Sequence, residues 1–443
     1  MKEGSSILIV SDLKFDISKY TLNYNKMKKV FVHTFGCKVN IYESEVIKDI
    51  FLKDGYGIAK KAAYADIVVI NTCTVTEKAD HKFLHLLKKI RMENPSAVII
   101  SLGCFTQLES ENEVLKADSD IILGVNNKYD VIEAIREFKG GKFISVPEGK
   151  ELDYADHELR SFQDHTRAFL KVQDGCDNFC TYCTIKYARG NSRSRRRVSV
   201  LADVEYLSQK GFKEIILTGI DLGSYTDGEA YGLFELISDI LKYEGFRLRI
   251  SSVEPWCFDD RLIELFVKEK RICPHFHIPL QSASKRILKM MNRKYSIEIF
   301  NELISKLSQR ADVFIATDII VGFPTETDEE FNESAKYLES SKINFAHVFS
   351  YSDRPFAPST KLKPKVSQNK IIQRSRKLRN VSEQKLHEFY ASQNGKEKEI
   401  IIEKIVKQAD GKYLCSGLSE NYIPVSFVSE KVYKKGDHVK TIS

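Results

Sequence analysis

The feature that most constrains the fold is a regular alternation between short apolar runs and amphipathic stretches. It begins near residue 29, and Tyr42–Leu52 is typical of the stretches with helical periodicity. The apolar runs that we predict as strands are Val30–Val32, Ile67–Ile70, Val98–Ile100 and Ile121–Leu123. Strands that alternate with helices are joined by crossover connections, so the pattern predicts a parallel sheet. We therefore expect an α/β domain over residues 29–145.

A second alternating series follows a polar linker near residues 145–165. Its predicted strands are Ala168–Val172, Glu214–Leu217, Arg247–Ser252, His275–Leu280, Asp312–Val321 and Asn344–Tyr351. About six strand-helix units favour a partial (β/α)6 barrel over a closed eightfold one. Counting a basic helical connector at 364–394, this domain is expected to span 162–392.

The last segment, residues 395–443, changes to short β-type runs such as Glu399–Ile405 and Tyr422–Phe427. It predicts a small all-β module that is too short to hold much core of its own unless it docks.

The bulk properties exclude few classes of protein. The chain has 443 residues, a formal charge of +7 and nine cysteines. The charge is too small to decide about nucleic acid, and no apolar run is long enough to cross a membrane. Residues 1–28 lack the pattern of a signal peptide. We expect them to form a leader that is either disordered or the result of an incorrectly assigned start, in which case Met27 is the true start. The cysteines are therefore expected to be reduced, in a cytoplasmic enzyme.

Three cysteines form a CxxxCxxC spacing at Cys176, Cys180 and Cys183, just after the first predicted barrel strand. A 4Fe–4S cluster usually takes four cysteine ligands, so three thiolates leave one iron open. The spacing also differs from the paired CxxC of a structural zinc ribbon. Active sites of such barrels lie at the carboxyl ends of the strands. The motif therefore predicts a catalytic cluster there.

Three further cysteines, Cys37, Cys73 and Cys104, each follow one of the first three predicted strands within a few residues. In an open parallel sheet the carboxyl ends of the strands meet at one edge, where sites form. We therefore expect these three cysteines to converge on a second metal site. The alternative is that each is a small core residue, because free cysteine is often buried.

Several motifs, taken in order, resemble the methylthiotransferase family of radical S-adenosylmethionine enzymes over nearly everything after residue 29. In the first half they are Gly36-Cys-Lys-Val-Asn40, Tyr42-Glu-Ser44, Asn71-Thr-Cys-Thr74, Gly103-Cys104 and Tyr187-Ala-Arg-Gly190. In the second half they are His277-Ile-Pro-Leu-Gln-Ser282, Asp318-Ile-Ile-Val-Gly-Phe-Pro324 and Phe349-Ser-Tyr-Ser352. The segment Gly417-Leu-Ser-Glu-Asn-Tyr-Ile423 resembles a TRAM domain, an RNA-binding barrel.

The resemblance implies an enzyme with two 4Fe–4S clusters. The cluster on Cys176, Cys180 and Cys183 would bind S-adenosylmethionine and produce a 5′-deoxyadenosyl radical from it. The cluster on Cys37, Cys73 and Cys104 would carry a sulfur atom, which a second S-adenosylmethionine methylates. The radical would remove hydrogen from an adenine carbon, and the methylthio group would be inserted there.

The resemblance also suggests cofactor-binding residues outside the clusters. Tyr182 would lie near the adenine of the cofactor, Gly219 near its methionine part, and Glu254 near a ribose hydroxyl. Arg189 and Arg193 would face the cofactor carboxylate or the substrate. The alternatives are a packed loop aromatic for Tyr182, a turn residue for Gly219 and a solvated carboxylate for Glu254. The five arginines from Arg189 to Arg197 would suit phosphate contact.

The expected substrate is the anticodon loop of tRNA, and an electron donor and a sulfur source are required as further partners. Gly36-Cys-Lys-Val-Asn40 is similar to the branch acting on carbon 2 of N6-threonylcarbamoyladenosine at position 37. The alternatives are the isopentenyladenosine branch and a branch that modifies a ribosomal protein. A different class remains open as well, namely an iron–sulfur electron-transfer protein or a zinc-stabilised RNA-binding protein without catalysis.

Overall fold

A computed structural model describes residues 27–147, 154–157, 162 and 165–442. The predicted leader therefore lies almost wholly outside the described residues, as does part of the predicted linker. Within the part of the chain described, no helix combines the length and the apolar character needed to cross a bilayer.

The first domain is a six-stranded parallel sheet with helices on both faces. Its strands are β1 (Lys29–Thr34), β2 (Gly57–Ile58), β3 (Ile67–Thr72), β4 (Val98–Gly103), β5 (Ile121–Leu123) and β6 (Phe143–Ser145). Its helices are α1 (Lys38–Lys53), α2 (Glu77–Glu93), α3 (Cys104–Leu108), α4 (Glu113–Asp118) and α5 (Val131–Glu137). The strand order is β2-β1-β3-β4-β5-β6. The four predicted strands and the parallel sheet are confirmed.

The strands of this sheet are apolar on both faces because helices cover both. Every residue of β3 is buried. Val69 packs with α1 and α5 residues on one face, whereas Val68 and Ile70 pack with Phe83 and Leu87 of α2 on the other. Burial on two sides explains why these strands appear as continuous apolar runs rather than alternating ones.

The second domain is an open barrel of six parallel strands. They are β7 (Ala168–Lys171), β10 (Glu214–Thr218), β11 (Arg247–Ile250), β12 (His275–His277), β13 (Phe314–Val321) and β14 (Phe345–Ser350). The short strands β8 (Gln173–Asp174) and β9 (Arg193–Ser194) pair separately, antiparallel to each other. Sheets β7-β10-β11 and β12-β13-β14 are joined by a parallel bridge between Leu248 and Ile272. The partial barrel predicted from six strand-helix units is confirmed.

The helices of this domain surround the barrel. They are α6 (Ile185–Arg189), α7 (Arg197–Gln209), α8 (Leu233–Ile240), α9 (Asp260–Lys268), α10 (Lys285–Met290), α11 (Ile297–Leu307), α12 (Asp328–Ser340) and α13 (Gln368–Gln393). The long helix α13 packs on β14 and α12. It is the predicted connector, but its Arg374 is buried and paired with Glu326 and Asp328, so that arginine is not a free basic group.

The C-terminal module is a curled four-stranded antiparallel sheet, consistent with a TRAM-like half-barrel. Its strands are β15 (Glu397–Lys407), β16 (Tyr413–Ser419), β17 (Pro424–Ser429) and β18 (His438–Ile442), in the order β17-β16-β15-β18. The predicted strand from Tyr422 is wrong at its start. Tyr422 lies in the turn between β16 and β17 with a φ of 69°.

This module docks on the barrel at the amino ends of its strands, the end opposite the CxxxCxxC loop. Ile400 and Cys415 share an apolar core with Phe314 of β13 and Phe389 of α13. Arg249 of β11 donates to the carbonyl oxygen of Ser419 at 3.1 Å. The expectation that so small a module needs a docking surface is thereby met.

Two candidate cluster sites and the cavity between them

The loop that carries Cys176, Cys180 and Cys183 leaves the barrel at the carboxyl end of β7. Its base is closed by the antiparallel pair β8–β9. Gly175 begins the loop with a φ of +69°, and a Cβ there would lie 1.9 Å from the carbonyl oxygen of Asn191. Glycine is required at this position because the two ends of the loop pass so close together.

Each sulfur of this loop accepts a hydrogen bond. The backbone N–H groups of Asn178 and Ile185 donate to Cys176 Sγ and Cys183 Sγ, both at 3.4 Å. Cys180 Sγ accepts from Arg293 Nη1, also at 3.4 Å. Donors of this kind stabilise a thiolate ligand and tune the potential of an iron–sulfur cluster.

The electrostatic surroundings of Cys176 oppose a free thiolate. Burial, with a further contribution from the Asp221 carboxylate, raises the pKa of the Cys176 thiol to about 12. Its Sγ lies 3.8 Å from Asp221 Oδ2. The thiol therefore keeps its proton at neutral pH until a cation replaces it, as is usual for a metal ligand.

The second set of cysteines lies together at the carboxyl edge of the first sheet. Cys37 precedes α1, Cys73 follows β3, and Cys104 begins α3 directly after β4. Thr72 and Gly103, the residues before Cys73 and Cys104, are register partners in the sheet. A Cβ added to Gly36, the neighbour of Cys37, would lie only 2.7 Å from Cys73 Sγ. The geometry therefore places the three predicted ligands at one edge.

Both sets suit iron–sulfur clusters by the chemistry of their donors. All nine cysteines are free thiols, and soft thiolates favour such clusters. Among the described residues, no three cysteine, histidine or acidic side chains converge as the ligands of one metal ion do. A four-iron cluster is bound through separate iron atoms, so its thiolates stand farther apart than those around a single ion.

Arg189, at the end of α6, connects the two sets. It is 1% exposed, and its Nε donates to Cys104 Sγ at 3.2 Å. Nη1 contacts Glu43 Oε1 at 2.8 Å and Asp174 Oδ1 at 2.9 Å, and Nη2 contacts Asn40 Oδ1 at 2.7 Å. Burial opposes ionisation of Glu43, but Arg189, Lys128 and Lys171 outweigh it and hold its pKa well below the usual range.

The placement of Arg189 and Arg193 differs from what the resemblance suggests. The guanidinium of Arg189 is occupied by groups of the first domain and by Asp174. Arg193 donates to the carbonyl oxygen of Arg189 at 2.6 Å and to Asp174 Oδ2 at 3.2 Å. We therefore propose that Arg189 holds the two domains together beside Cys104, and that Arg193 supports Arg189 from the barrel side. A role for either one in binding the cofactor carboxylate has no support in this geometry.

The arginine run was expected to face phosphates, and for three of its five members that is wrong. Arg189 and Arg193 are paired as described, and Arg195 is fully buried with Asp156 and Asp203. Only Arg196 and Arg197 are exposed. The segment runs between the domains, where carboxylates from both neutralise it.

Replacing Arg189 by methionine should destabilise the chain strongly. The change leaves Glu43 and Asp174 with one cation fewer in a buried site, where breaking an ion pair costs about 3–5 kcal/mol. Urea unfolding followed by the fluorescence of Trp256, the one tryptophan, measures the effect. The control Arg261→Met removes exposed ion pairs and should cost below about 1 kcal/mol. Equal effects of the two variants would contradict the role of Arg189.

Glu254 and Tyr182 meet at an arginine that sequence reasoning missed. Arg293 forms a two-pronged ion pair with Glu254, one prong being Nη1 to Oε1 at 3.2 Å. Its Nη1 is also 3.5 Å from the Tyr182 hydroxyl, and its guanidinium lies 4.8 Å from the Trp256 ring. Glu254 is thus not a solvated carboxylate. Its proposed contact with a ribose, and that of Tyr182 with adenine, stay predictions.

Gly219 follows β10 and has a packing reason of its own to be glycine. A Cβ at this position would lie 2.9 Å from Gln173 Oε1 and 3.2 Å from the Cα of Leu222. The side chain of Gln173 therefore already occupies the space. The proposed contact of Gly219 with the methionine part of the cofactor stays a prediction.

A cavity of about 170 Å³ lies between the CxxxCxxC loop and the segment that follows Cys73. The first domain contributes residues that follow Cys73, the CxxxCxxC loop contributes Tyr182 to Ile185, and the barrel contributes the carboxyl ends of β13 and β14. Its polar lining includes Thr76, Thr184, Gln281, Asp318, Ser350, Ser352 and Arg354. An outer groove of about 740 Å³ shares Thr76 and residues 349–352 with it, so the two are continuous.

Sequence reasoning missed three residues of the site: Glu43, Arg293 and Arg354. Glu43 lies inside the motif Tyr42-Glu-Ser44, and Arg354 comes two residues after Phe349-Ser-Tyr-Ser352. A charged residue close to the carboxyl end of a barrel strand was the available signal for Arg354. The sequence offers no comparable signal for Arg293, whose partners lie in the CxxxCxxC loop and in the loop after β11, both distant in sequence.

Two family profiles match the chain. Residues 29–124 match Uncharacterized protein family UPF0004, and residues 170–338 match the Radical SAM superfamily. The first range contains Cys37, Cys73 and Cys104, and the second contains the CxxxCxxC loop.

Curated relatives cover almost the whole chain. A threonylcarbamoyladenosine tRNA methylthiotransferase MtaB from Aquifex aeolicus (strain VF5) is 36% identical, over 90% of this chain and 96% of the relative. A tRNA-2-methylthio-N(6)-dimethylallyladenosine synthase from Staphylococcus saprophyticus is 32% identical, over 94% of this chain and 83% of the relative. A solved radical S-adenosylmethionine methyltransferase, TsrM from Kitasatospora setae, shares the fold at a TM-score of 0.58 and 14% identity, over 75% of this chain and 77% of that one. The chain belongs to the methylthiotransferase family of radical S-adenosylmethionine enzymes.

Proposed function

We propose that this protein inserts a methylthio group at carbon 2 of N6-threonylcarbamoyladenosine at position 37 of tRNA. The observation that carries the proposal is the cavity between the two cysteine loops. Thr76 lines it three residues after Cys73, and Tyr182 and Cys183 line it from the other loop. A base in that cavity would contact Cys183 of one set and the residues that follow Cys73 of the other, which suits an insertion that needs a radical on one side and sulfur on the other.

The cofactors we assign are two 4Fe–4S clusters and S-adenosylmethionine, which is both methyl donor and radical source. Cys176, Cys180 and Cys183 would hold one cluster, and Cys37, Cys73 and Cys104 the other. When bound, these groups supply the radical chemistry and the sulfur. The expected cofactor contacts of Tyr182, Gly219 and Glu254 belong to the same proposal.

The chain itself would hold the target base and keep water away from it. Four exposed aromatic rings belong to the CxxxCxxC loop, to β14 or to the segments that follow them: Phe179, Tyr187, Phe349 and Phe356. The rings of Tyr187 and Phe356 stack, with 5.7 Å between their centroids. Aromatic side chains of this kind stack on unpaired bases of an RNA loop. Lys186 Nζ lies over the Phe179 ring, 3.9 Å from its centroid, in a cation–π contact.

The outer groove supplies positive charge for an RNA backbone. Its lining includes Lys78 of α2 and Arg379 of α13, the connector helix, whereas Lys365 in the same lining is paired with Asp353. Because the groove is continuous with the cavity, a tRNA loop whose base enters the cavity would lay its phosphates along these cations. The TRAM-like module docks at the other end of the barrel, so we assign it to a more distant part of the tRNA.

Several finer expectations remain part of this proposal. An electron donor and a sulfur source are required as partners, and a tRNA substrate together with nine unpaired cysteines agrees with a cytoplasmic location. The domain boundaries stay at 29–145, 162–392 and 395–443.

The second candidate is the dimethylallyladenosine reaction named for the Staphylococcus saprophyticus relative, whose identity to this chain is only 4 percentage points lower (36% against 32%). Arg354, the buried arginine that lines the cavity, favours the threonylcarbamoyladenosine reaction. The dimethylallyl substituent is a hydrocarbon and offers this arginine no hydrogen-bond acceptor. A ribosomal-protein substrate and a non-catalytic iron–sulfur or zinc protein have no comparable observation in their favour.

Mass spectrometry of tRNA nucleosides tests the substrate. A strain that lacks the gene should lose methylthio-threonylcarbamoyladenosine and keep methylthio-dimethylallyladenosine, and a plasmid copy should restore the lost nucleoside. Loss of methylthio-dimethylallyladenosine with methylthio-threonylcarbamoyladenosine intact would instead show that the protein acts on dimethylallyladenosine. Iron analysis of anaerobically purified protein tests the class: about eight irons per chain agree with two clusters, and stoichiometric zinc would overturn the proposal.

A further inference from the structure

Arg354 is a buried arginine whose donors are only partly used. It follows β14, its side chain is 7% exposed, and it lines the cavity between the two cysteine loops. Among the described residues, Nη2 alone of its nitrogens finds acceptors: it donates to the carbonyl oxygen and the hydroxyl of Thr74 at 3.0 and 2.6 Å, and to Asp80 Oδ2 at 2.6 Å. Thr74 directly follows Cys73, so this arginine is held against the first domain.

The other nitrogens of Arg354 lack acceptors. Nε is buried without a hydrogen-bond partner, and Nη1 makes no hydrogen bond within the described part of the chain. A guanidinium has five N–H donors, and a buried donor without a partner is costly. Arg293 and Arg374 also have an unpartnered Nε, but neither lines the cavity. Nε is enclosed by protein, so Nη1 is the donor group of Arg354 that a substrate in the cavity could use.

The surrounding charges leave room for an anion beside Arg354. Asp80 takes one edge of the guanidinium and holds it in place. The acidic residue that lines the cavity, Asp318, lies against the imidazole of His277, with its Oδ1 3.0 Å from Nε2. An arginine can bridge two carboxylates, one on each edge, because its donors point in different directions. The N–H donors of Nη1, which neither Asp80 nor Thr74 uses, are the ones that would bind a second carboxylate.

We propose that Arg354 binds the carboxylate of the threonylcarbamoyl group and thereby selects this nucleoside. The inference rests on the proposed function and adds the residue that recognises the threonylcarbamoyl substituent on N6 of the adenine. The substituent on N6 carries one carboxylate, and Thr76, Ser350 and Ser352 line the same cavity with hydroxyl groups for its polar atoms. A dimethylallyl group in the same place would bury Arg354 without an acceptor, which makes the site selective.

The protein-side test is Arg354→Met in the loaded enzyme. Three anticodon stem-loop RNAs would be compared, with threonylcarbamoyladenosine, unmodified adenosine or dimethylallyladenosine at position 37. For the first RNA, kcat/KM should fall by about 10- to 100-fold, which corresponds to one charge-assisted hydrogen-bonded pair. Affinity for the unmodified RNA, measured without reductant, should stay within about twofold. Arg261→Met, a surface change on α9, is the matched control and should leave all three RNAs unaffected.

A substrate-side test needs no variant that could misfold. Methyl esterification of the threonine carboxylate removes its charge, and the wild-type enzyme should lose the same factor on the ester RNA as Arg354→Met loses on the acid. The variant should then treat the acid and the ester alike. If the wild type processes both equally well, or if the variant loses affinity for all RNAs to the same degree, Arg354 does not read the carboxylate.

The outcomes separate the inference from the function on which it rests. A wild type that acts on dimethylallyladenosine RNA and ignores threonylcarbamoyladenosine RNA overturns the proposed function. If Arg354→Met still prefers the threonylcarbamoyl RNA over its ester, as the wild type does, another residue recognises the carboxylate. That outcome overturns the role of Arg354 and leaves the proposed function unaffected.

Discussion

Replacing Cys176, Cys180 and Cys183 together by alanine is expected to abolish cleavage of S-adenosylmethionine to 5′-deoxyadenosine. Alanine offers no ligand, and the N–H donors from Asn178, Ile185 and Arg293 would then face no thiolate. Iron per chain should drop from about eight to about four, because the other cysteine set is untouched. Chromatography of 5′-deoxyadenosine and an iron assay measure the two effects.

The chain supplies a matched control for this variant. Cys257, Cys273 and Cys415 are the three cysteines assigned to neither set, and replacing all three by alanine should keep both the iron content and the cleavage. A first variant that still forms 5′-deoxyadenosine would show that the CxxxCxxC loop is not the site of cleavage. A control variant that loses about four irons would show that the ligands have been assigned wrongly.

Replacing Cys37, Cys73 and Cys104 by alanine should have the complementary result: 5′-deoxyadenosine still forms, but no methylthio group reaches the RNA. The reason is that the two sets belong to different domains, each with its own backbone support. Arg189 loses its contact with Cys104 Sγ, yet its bonds to Glu43 and Asp174 remain and should keep α6 in place. The CxxxCxxC loop before α6 should therefore still bind iron.

Two measurements follow this second variant. Cleavage of S-adenosylmethionine should stay within about threefold of the wild type, while methylthiolated nucleoside falls below detection by mass spectrometry. Methylthiolation by this variant would remove the sulfur-carrying role from the second set. Loss of cleavage as well would mean that the two sites depend on each other, through Arg189 or otherwise.

Most of the architecture was predictable because it depends on local pattern. The two series of strands, the parallel first sheet and the six-stranded barrel all follow from apolar runs that alternate with helical periodicity. The convergence of Cys37, Cys73 and Cys104 was also predictable, since the carboxyl ends of neighbouring parallel strands share an edge. The errors lie at element ends: the strand expected from Tyr422 begins at Pro424, after a residue with positive φ.

The electrostatics of the site was poorly predicted. The run from Arg189 to Arg197 has the composition of a phosphate-binding segment, yet Arg189 and Arg195 are among the most buried side chains of the protein. Their partners Glu43 and Asp156 are distant in sequence, so no local pattern could pair them; Asp203 is only 8 residues from Arg195. Arg293 was missed for the same reason, because Glu254 and the pair Cys180 and Tyr182 belong to two segments that are distant from it in sequence.

The sequence by itself determined the fold class, the two sets of three cysteines and the family, because these depend on residue type, spacing and order along the chain. Only the tertiary structure decided which charged groups face the cavity and which hold the domains together. The physical reason is that burying a charge is favourable only beside a partner, and the partner is chosen by the packing of whole domains. Arg189 has its partners between the domains, whereas Arg354 lines the cavity with its Nη1 unused.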